Sequence, residues 1–514
     1  MAKGSGGPRI RKSLADIHVD IQSNGLKRSL GPVQLVLLGI GCIVGAGIYV
    51  MTGAAAANYA GPAVLLSFVL AGLACGFTGL CYAELASTLP VSGSSYSYTY
   101  ASLGEVAAWT IGWLLMLEYG LAGSALAAGL SGYLSSLLSD FGVIIPEALR
   151  TPWITSTVGT GGLEFSSGNG INLVAAVCVA LVALVLVRGV SESARVNAII
   201  VVIKISVLIL FVGVGAFYVV PDNWFPFIPE SQGGFTYGEA GIFRGASILF
   251  FAYLGFETIS TAALEARNPQ RDMPIGIIGA LIVCTILYMA VGLVLTGLVP
   301  YQQLGVPDPI ALAVDQIGMP AFTLVIKLGA VLGLMSVLLV NTYGHTRICF
   351  AMSQDGLLPR LFSSVHTEWM TPHLGTVFVA IITAIAAATL PITILGDLVS
   401  LGTACAFSIV AITVMWLRTN EPDLERPFRV PLGGIWIKGV WIGTVPVLAL
   451  VFCLTMVGPV VIDIGLKAAE GQPLPAIVLG IYFALGFLLY RQYGWHNSRL
   501  RKIAREAEQA PAGS

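Results

Sequence analysis

Gly39-Ile40-Gly41-Cys42-Ile43-Val44-Gly45-Ala46-Gly47-Ile48 packs four glycines into nine positions of an otherwise apolar stretch. Glycine inside a helix costs about 1 kcal/mol relative to alanine. Such a cluster is therefore either a close-packing face, as in small-xxx-small contacts, or a break. A break at membrane depth is tolerated only where it lines a cavity in the protein. It also exposes useful groups. The half-helix after Gly45 starts with free N–H donors and a positive dipole end, which suit a carboxylate. The half-helix before it ends in unpaired carbonyls, which suit an ammonium group. A zwitterionic amino acid carries both.

The stretch lies in the first of twelve apolar runs: 32–57, 62–88, 103–133, 171–187, 194–220, 241–266, 275–300, 322–353, 374–390, 394–417, 440–462 and 474–493. Each is near the roughly 20 residues a membrane helix needs. The alternation of a membrane β-barrel is absent. Of the 514 residues 56 % are apolar and only 10 % charged, against about a quarter charged in soluble domains. An ordinary soluble enzyme and a disordered scaffold are thereby excluded, and a net charge of −1 gives no case for nucleic acid. All eight cysteines fall in apolar runs without a Cys-x-x-Cys pair; they read as small core hydrophobes, not as a metal site. Membrane lipid is the expected surrounding. With the N-terminus placed in the cytoplasm, twenty of the 26 Lys and Arg residues fall on the inner side. Both termini are then cytoplasmic, with a polar N-terminal tail over 1–31 and a C-terminal tail over 494–514.

The sixth run carries Phe250-Phe251-Ala252-Tyr253-Leu254-Gly255-Phe256-Glu257, a second glycine beside a carboxylate near mid-membrane. Breaks in the first and sixth runs, five apart, suggest two inverted five-helix repeats, over 32–220 and 241–417, with a midplane site between them. Helices over 440–493 are then additional. Intramembrane charges are costly and usually functional. Lys204 lies about ten residues, roughly 15 Å, inside its span, too deep to snorkel comfortably, and could load and release a proton. Glu118 either pairs structurally or faces the substrate path. Glu257 is a counter-charge at the break or a gate element. Glu84 lies near a helix end and is expected to contact inner loops. For Arg244 and Lys327, near outer ends, snorkelling is the expected account. Phe250, Phe251, Tyr253 and Phe256 are either bundle core or the cap and gate of the break. Asn341 is either interhelical glue or a pocket wall.

These residues, with Cys81-Tyr82-Ala83-Glu84-Leu85-Ala86-Ser87-Thr88, Glu265-Ala266-Arg267-Asn268-Pro269 and Ser353-Gln354-Asp355-Gly356-Leu357-Leu358-Pro359, resemble the amino acid–polyamine–organocation transporters. The similarity covers about residues 26–495 and points to the cationic amino acid transporter branch, bacterial type. It implies an all-α membrane protein of twelve helices, with a substrate carboxylate meeting N–H groups at Gly45, Ala46 and Gly47. The α-amino group would meet carbonyls near Ile43 and at Phe251, Ala252 and Leu254. Glu118 aligns with an acidic residue that such transporters need, Lys204 with the lysine of proton-coupled members, and Asn341 with the side-chain end of the pocket. Three positions depart from the pattern. Ala46 lacks the hydroxyl of Ser or Thr in many relatives, Glu257 stands where close bacterial ones have Asp, and Asn341 replaces a larger apolar residue in some.

The resemblance leads to a secondary amino acid transporter of the cell membrane, with proton-coupled import of arginine, lysine or ornithine as the leading expectation. Small neutral substrates such as alanine, or exchange, are alternatives. No cofactor or metal is expected, and a small accessory membrane subunit could bind without leaving a readable mark. A membrane-embedded enzyme is disfavoured, since only His345 of the five histidines lies in a span and no zinc or phosphate-loop spacing occurs. An amino acid sensor would keep the same fold but usually adds long signalling extensions.

Overall fold

A computed structural model of the chain describes residues 30–89, 94–159, 162–189 and 194–509. The expected N-terminal tail up to residue 29, and the end of the C-terminal tail from 510, lie outside the described residues. Each apolar run folds as helix: Pro32–Ile43 with a continuation from Gly47, then Val64–Thr88, Glu105–Asp140, Leu173–Val187, Ala194–Gly215 and Gly238–Leu249 with its continuation. Pro269–Leu298, Pro320–Gln354, His373–Thr389, Ile392–Asn420, Thr444–Ala469 and Leu474–Leu489 follow. We number these spans first to twelfth. Nine helical stretches among the described residues are long and apolar enough to cross a membrane, and Pro32–Ile43, Leu173–Val187 and His373–Thr389 are shorter apolar helices. Helix is the form that satisfies its own backbone in lipid.

The eleventh span begins later than its hydropathy predicts. Residues 440–443 pair with Gly434–Ile437 as a β-hairpin. Lys438 and Gly439 at its tip have φ of 50° and 79°, the doubly positive backbone that suits the twist of a two-residue hairpin. Ile435-Trp436-Ile437 and Val440-Trp441-Ile442 are apolar enough to imitate a span. A second hairpin, Ile154–Gly159 with Gly162–Ser167, occupies the long segment before the fourth span.

The third span packs along the eighth and the tenth, and the seventh packs along the second and the first. Large apolar side chains such as Ile286, Leu454 and Phe487 stand about two-thirds exposed on the outside of the bundle, which is favourable only against lipid. The twelfth span buries only Pro475 and Gly486 along its length, so it is peripheral.

Ion pairs buried at the two ends fasten the helices. At one end Leu30 N donates to Glu265 O at 3.0 Å, and the helix Arg499–Gln509 docks through Arg501 on Glu105 (2.6 Å) and through Arg499 N on Asp355 O (3.0 Å). Ser498 and Tyr490 also bond Glu105. At this same end Glu84 takes both arms of Arg418 (2.8 and 2.6 Å) and the amide of Val430 (2.7 Å), contacting the following loop as expected. We call this the inner end. At the outer end Lys327 joins Asp140 (2.9 Å) to Asp315 (2.8 Å), and Arg244 joins Asp397 (2.6 Å) to Asp463 (3.0 Å). Both cations were expected to snorkel; instead their side chains are fully buried. The carboxylates lie on other segments, so no single-span reading could show them.

Candidate functional site

The break in the first span is real. Helix ends at Ile43, Val44 and Gly45 are non-helical, and winding resumes at Ala46 to continue as the wide turn Gly47–Met51. The first N–H groups of the outer half therefore lack helical partners. In the sixth span Gly238–Leu249 tightens over Phe250–Tyr253, unwinds at Leu254 and Gly255, and re-forms at Thr258–Thr261. Gly255 has φ of +115°, which side-chain-bearing residues rarely adopt. Glu257 closes the turn by accepting the Gly255 amide at 2.9 Å.

The two breaks touch. A Cβ built on Gly47 would stand 2.2 Å from the Ala252 Cα, so the outer half of the first span lies against the sixth with no room for a methyl group. On the inner side of this contact a cavity of about 690 Å³ opens, within the roughly 300–1,000 Å³ usual for small-molecule sites. Ile43, Gly45, Ala46, Gly47, Phe251, Leu254, Glu257 and Asn341 line it. Ser95, Tyr96, Glu265, Arg347 and Ala351 carry the lining towards the inner end. Its remaining wall is mainly apolar, from Leu126, Val337, Val340 and Ile348. Leu126 and Val337 stand closest to Gly45, with side-chain carbons 3.5 and 3.0 Å from where its Cβ would be.

Lys204 does not line the cavity. It is buried behind the break, where its Nζ donates to Gly41 O at 2.6 Å and Val44 O at 3.2 Å. An ammonium at this depth is offset by the carbonyls that the break frees. Lys204 thus holds the end of the inner half-helix from outside the substrate space.

Several expected site residues have other partners or lie outside the lining. The Ile43 carbonyl, expected for an ammonium group, already accepts the Tyr288 hydroxyl at 2.8 Å. Glu118 is fully buried but outside the cavity lining, on the far side of Tyr119; among the described residues neither of its oxygens makes a hydrogen bond. A one-residue step along a helix turns a side chain by about 100°, so Tyr119 reaches the cavity and Glu118 does not. Ala252 is held at the Gly47 contact and Phe250 meets Phe407 edge to face, ring centroids 5.5 Å apart. Tyr253 donates to Phe68 O at 2.9 Å. None of the three is in the lining. Asn341 is both of the things it was read as: its Nδ2 donates to Tyr119 O at 2.7 Å, bonding the eighth span to the third, and it lines the cavity. Two participants were missed. Tyr119 and Tyr288 sit in apolar runs, where a buried tyrosine hydroxyl needs a partner, and that was the available signal.

Residues 30–484 match the family model described as amino acid permease. The chain is 42 % identical over 492 residues to a methylthioribose transporter of Bacillus subtilis (strain 168), covering 96 % of this chain and 99 % of the relative. It is 43 % identical over 449 residues to a branched-chain amino acid permease of the same organism, covering 87 % and 91 %. To the vacuolar cationic amino acid transporter 4 of Arabidopsis thaliana it is 36 % identical over 418 residues, covering 80 % and 67 %.

Proposed function

The chain belongs to the amino acid permease family, and from that premise we propose that it carries a neutral amino acid with an apolar side chain across the membrane by alternating access. It is a multi-pass membrane transporter, not an enzyme. The observation that carries the substrate reading is the wall around Gly45. Leu126 and Val337 stand at Gly45, Val340 and Ile348 extend the apolar lining, and the one amide of the lining, Asn341, has its nitrogen committed to Tyr119. A charged side chain docked against this apolar stretch would lose its water, which is expensive, while the carboxylates of the lining, Glu257 and Glu265, both stand on the sixth-span side. The relatives of higher identity are named for neutral solutes, and this supports the same reading. The carboxylate is held by the amides around Gly45, Ala46 and Gly47, and the ammonium by carbonyls at the unwound part of the sixth span.

Proton coupling runs through Lys204, which grips Gly41 and Val44 when charged and releases them when neutral. The two broken spans belong to inverted repeats over 32–220 and 241–417, and both termini are cytoplasmic in a cell membrane. A cationic substrate is the second reading, because Glu257 lines the cavity and the cationic transporters are relatives too.

The test is uptake of labelled leucine, alanine, arginine and methylthioribose into proteoliposomes, with and without an inward proton gradient. Gradient-driven leucine or alanine uptake supports the proposal. Arginine uptake alone replaces it with the cationic reading, methylthioribose uptake alone removes the amino acid, and gradient-independent uptake that needs internal amino acid makes the protein an exchanger.

A further inference from the structure

Arg244 lies five residues, about 8 Å, before the end of Gly238–Leu249, and so further still outward of the break at Leu254 and Gly255. Its Nη2 donates to Asp397 Oδ2 of the tenth span at 2.6 Å and to Asp463 Oδ2 of the eleventh at 3.0 Å, and its Nε reaches the latter oxygen at 3.3 Å. Lys467, one turn along the eleventh span, donates to that oxygen at 2.8 Å. The guanidinium stands over the ring of Tyr59, 4.7 Å from its centroid, in the outer half of the first span. One side chain thus joins the outer halves of both broken spans to two helices that carry no part of the cavity lining. The two cations balance the two carboxylates.

The cluster is not saturated. Arg244 Nη1, Asp397 Oδ1 and the Tyr59 hydroxyl have no hydrogen-bond partner among the described residues. A dry ion pair gains its Coulomb energy against a large loss of hydration, so its net contribution is small. Groups left without partners raise the closed state further, and water entering from the outer side would satisfy all of them. Such a cluster holds when dry and parts when wet, which suits a contact that must open and close repeatedly.

We propose that Arg244, Asp397 and Asp463 are the outer latch of the transport cycle. Joined, they keep the outer half shut while the cavity is reached from the inner end. Parted, they let the first and sixth spans separate outward. The eleventh span, outside the two proposed repeats, thereby becomes part of the gate. The inference rests on the transporter reading above.

Cys42 lines the cavity and is part-exposed, so it reports access. Right-side-out and inside-out membrane vesicles are treated with a membrane-impermeant maleimide, with Cys42→Ala giving the background. In Asp463→Asn, Asp397→Asn and Arg244→Lys the latch is weakened, and labelling of Cys42 from the outer face should rise roughly fivefold or more, while inner-face labelling falls. Three variants guard against one that fails to fold, and fold is checked by elution as a single species in detergent. Outer-face rates equal to the parent in the folded variants overturn the latch. Uptake by the parent is measured alongside. Its absence counts against the transporter reading, while the labelling rates decide the latch on their own.

Discussion

Replacing Gly47 by alanine tests whether contact between the two breaks is part of the working machine. The added Cβ would sit 2.2 Å from Ala252 Cα and 2.5 Å from Ala252 Cβ. An ordinary carbon contact needs about 3.5–4.0 Å, so the first and sixth spans must part by more than 1 Å at the floor of the cavity. The obstacle is backbone, and it cannot swing away. Overpacking of this kind costs about 1–3 kcal/mol, which is roughly 5- to 150-fold in the equilibrium between the closed outer half and other states. Because the same displacement moves the amides proposed to hold the carboxylate, substrate affinity should fall along with uptake. The control is Gly76→Ala, also within a span, where a Cβ would meet nothing within 4 Å. There alanine should be neutral or stabilising by up to about 1 kcal/mol. Binding is read by the ligand-induced rise in melting temperature, and transport by initial uptake rate. A Gly47→Ala protein that binds and transports within twofold of the parent would refute the argument, since the breaks would then not need their contact.

Lys204→Ala should abolish the response of uptake to an inward proton gradient while substrate still shifts the melting temperature; unchanged gradient dependence would remove Lys204 from coupling. Glu84→Gln takes the carboxylate from two arms of Arg418 and the Val430 amide, so it should destabilise by about 3–5 kcal/mol, seen as a clear drop in detergent melting temperature; no drop would show that the hub contributes little. Asn341→Leu removes the hydrogen bond to Tyr119 O and narrows the cavity, so affinity for leucine should fall by roughly tenfold relative to alanine, measured by competition against labelled alanine uptake. Gly255→Ala must adopt φ of +115° and would meet the Cys42 backbone at 2.8 Å; loss of folded yield or of uptake is the expected result, and wild-type behaviour would mean the sixth span is not required to unwind there.

Much of this molecule was legible in its chain. Twelve apolar runs become helices because hydropathy and length decide that alone, and the glycines at 39–47 mark the first break because few other residues can leave a helix and touch another backbone. Lys204 stood out for the same reason: an uncompensated cation at that depth has to meet something. What could not be read is pairing between distant segments. Arg244 and Lys327 looked like surface cations until their carboxylates arrived from the third, tenth and eleventh spans and from the short helix at 309–317. Glu118 looked like a pocket residue because a charge in a span draws attention, yet the face of the helix it occupies is set by packing against the tenth span. The 434–443 hairpin failed differently: its apolar strands carry the same hydropathy as a helix, and only the turn at Lys438-Gly439 distinguishes them.

The docked helix Arg499–Gln509 fixes the inner ends of the third and eighth spans through Glu105 and Asp355. Those are the two helices that hold Tyr119 and Asn341, already bonded to each other across the cavity. The last helix of the chain is thereby mounted on an unbroken part of the bundle. A fluorophore or fusion partner attached there reports from a stationary reference frame. Paired with a second probe on the sixth span, it turns the movement of a broken helix into a distance that can be followed in time.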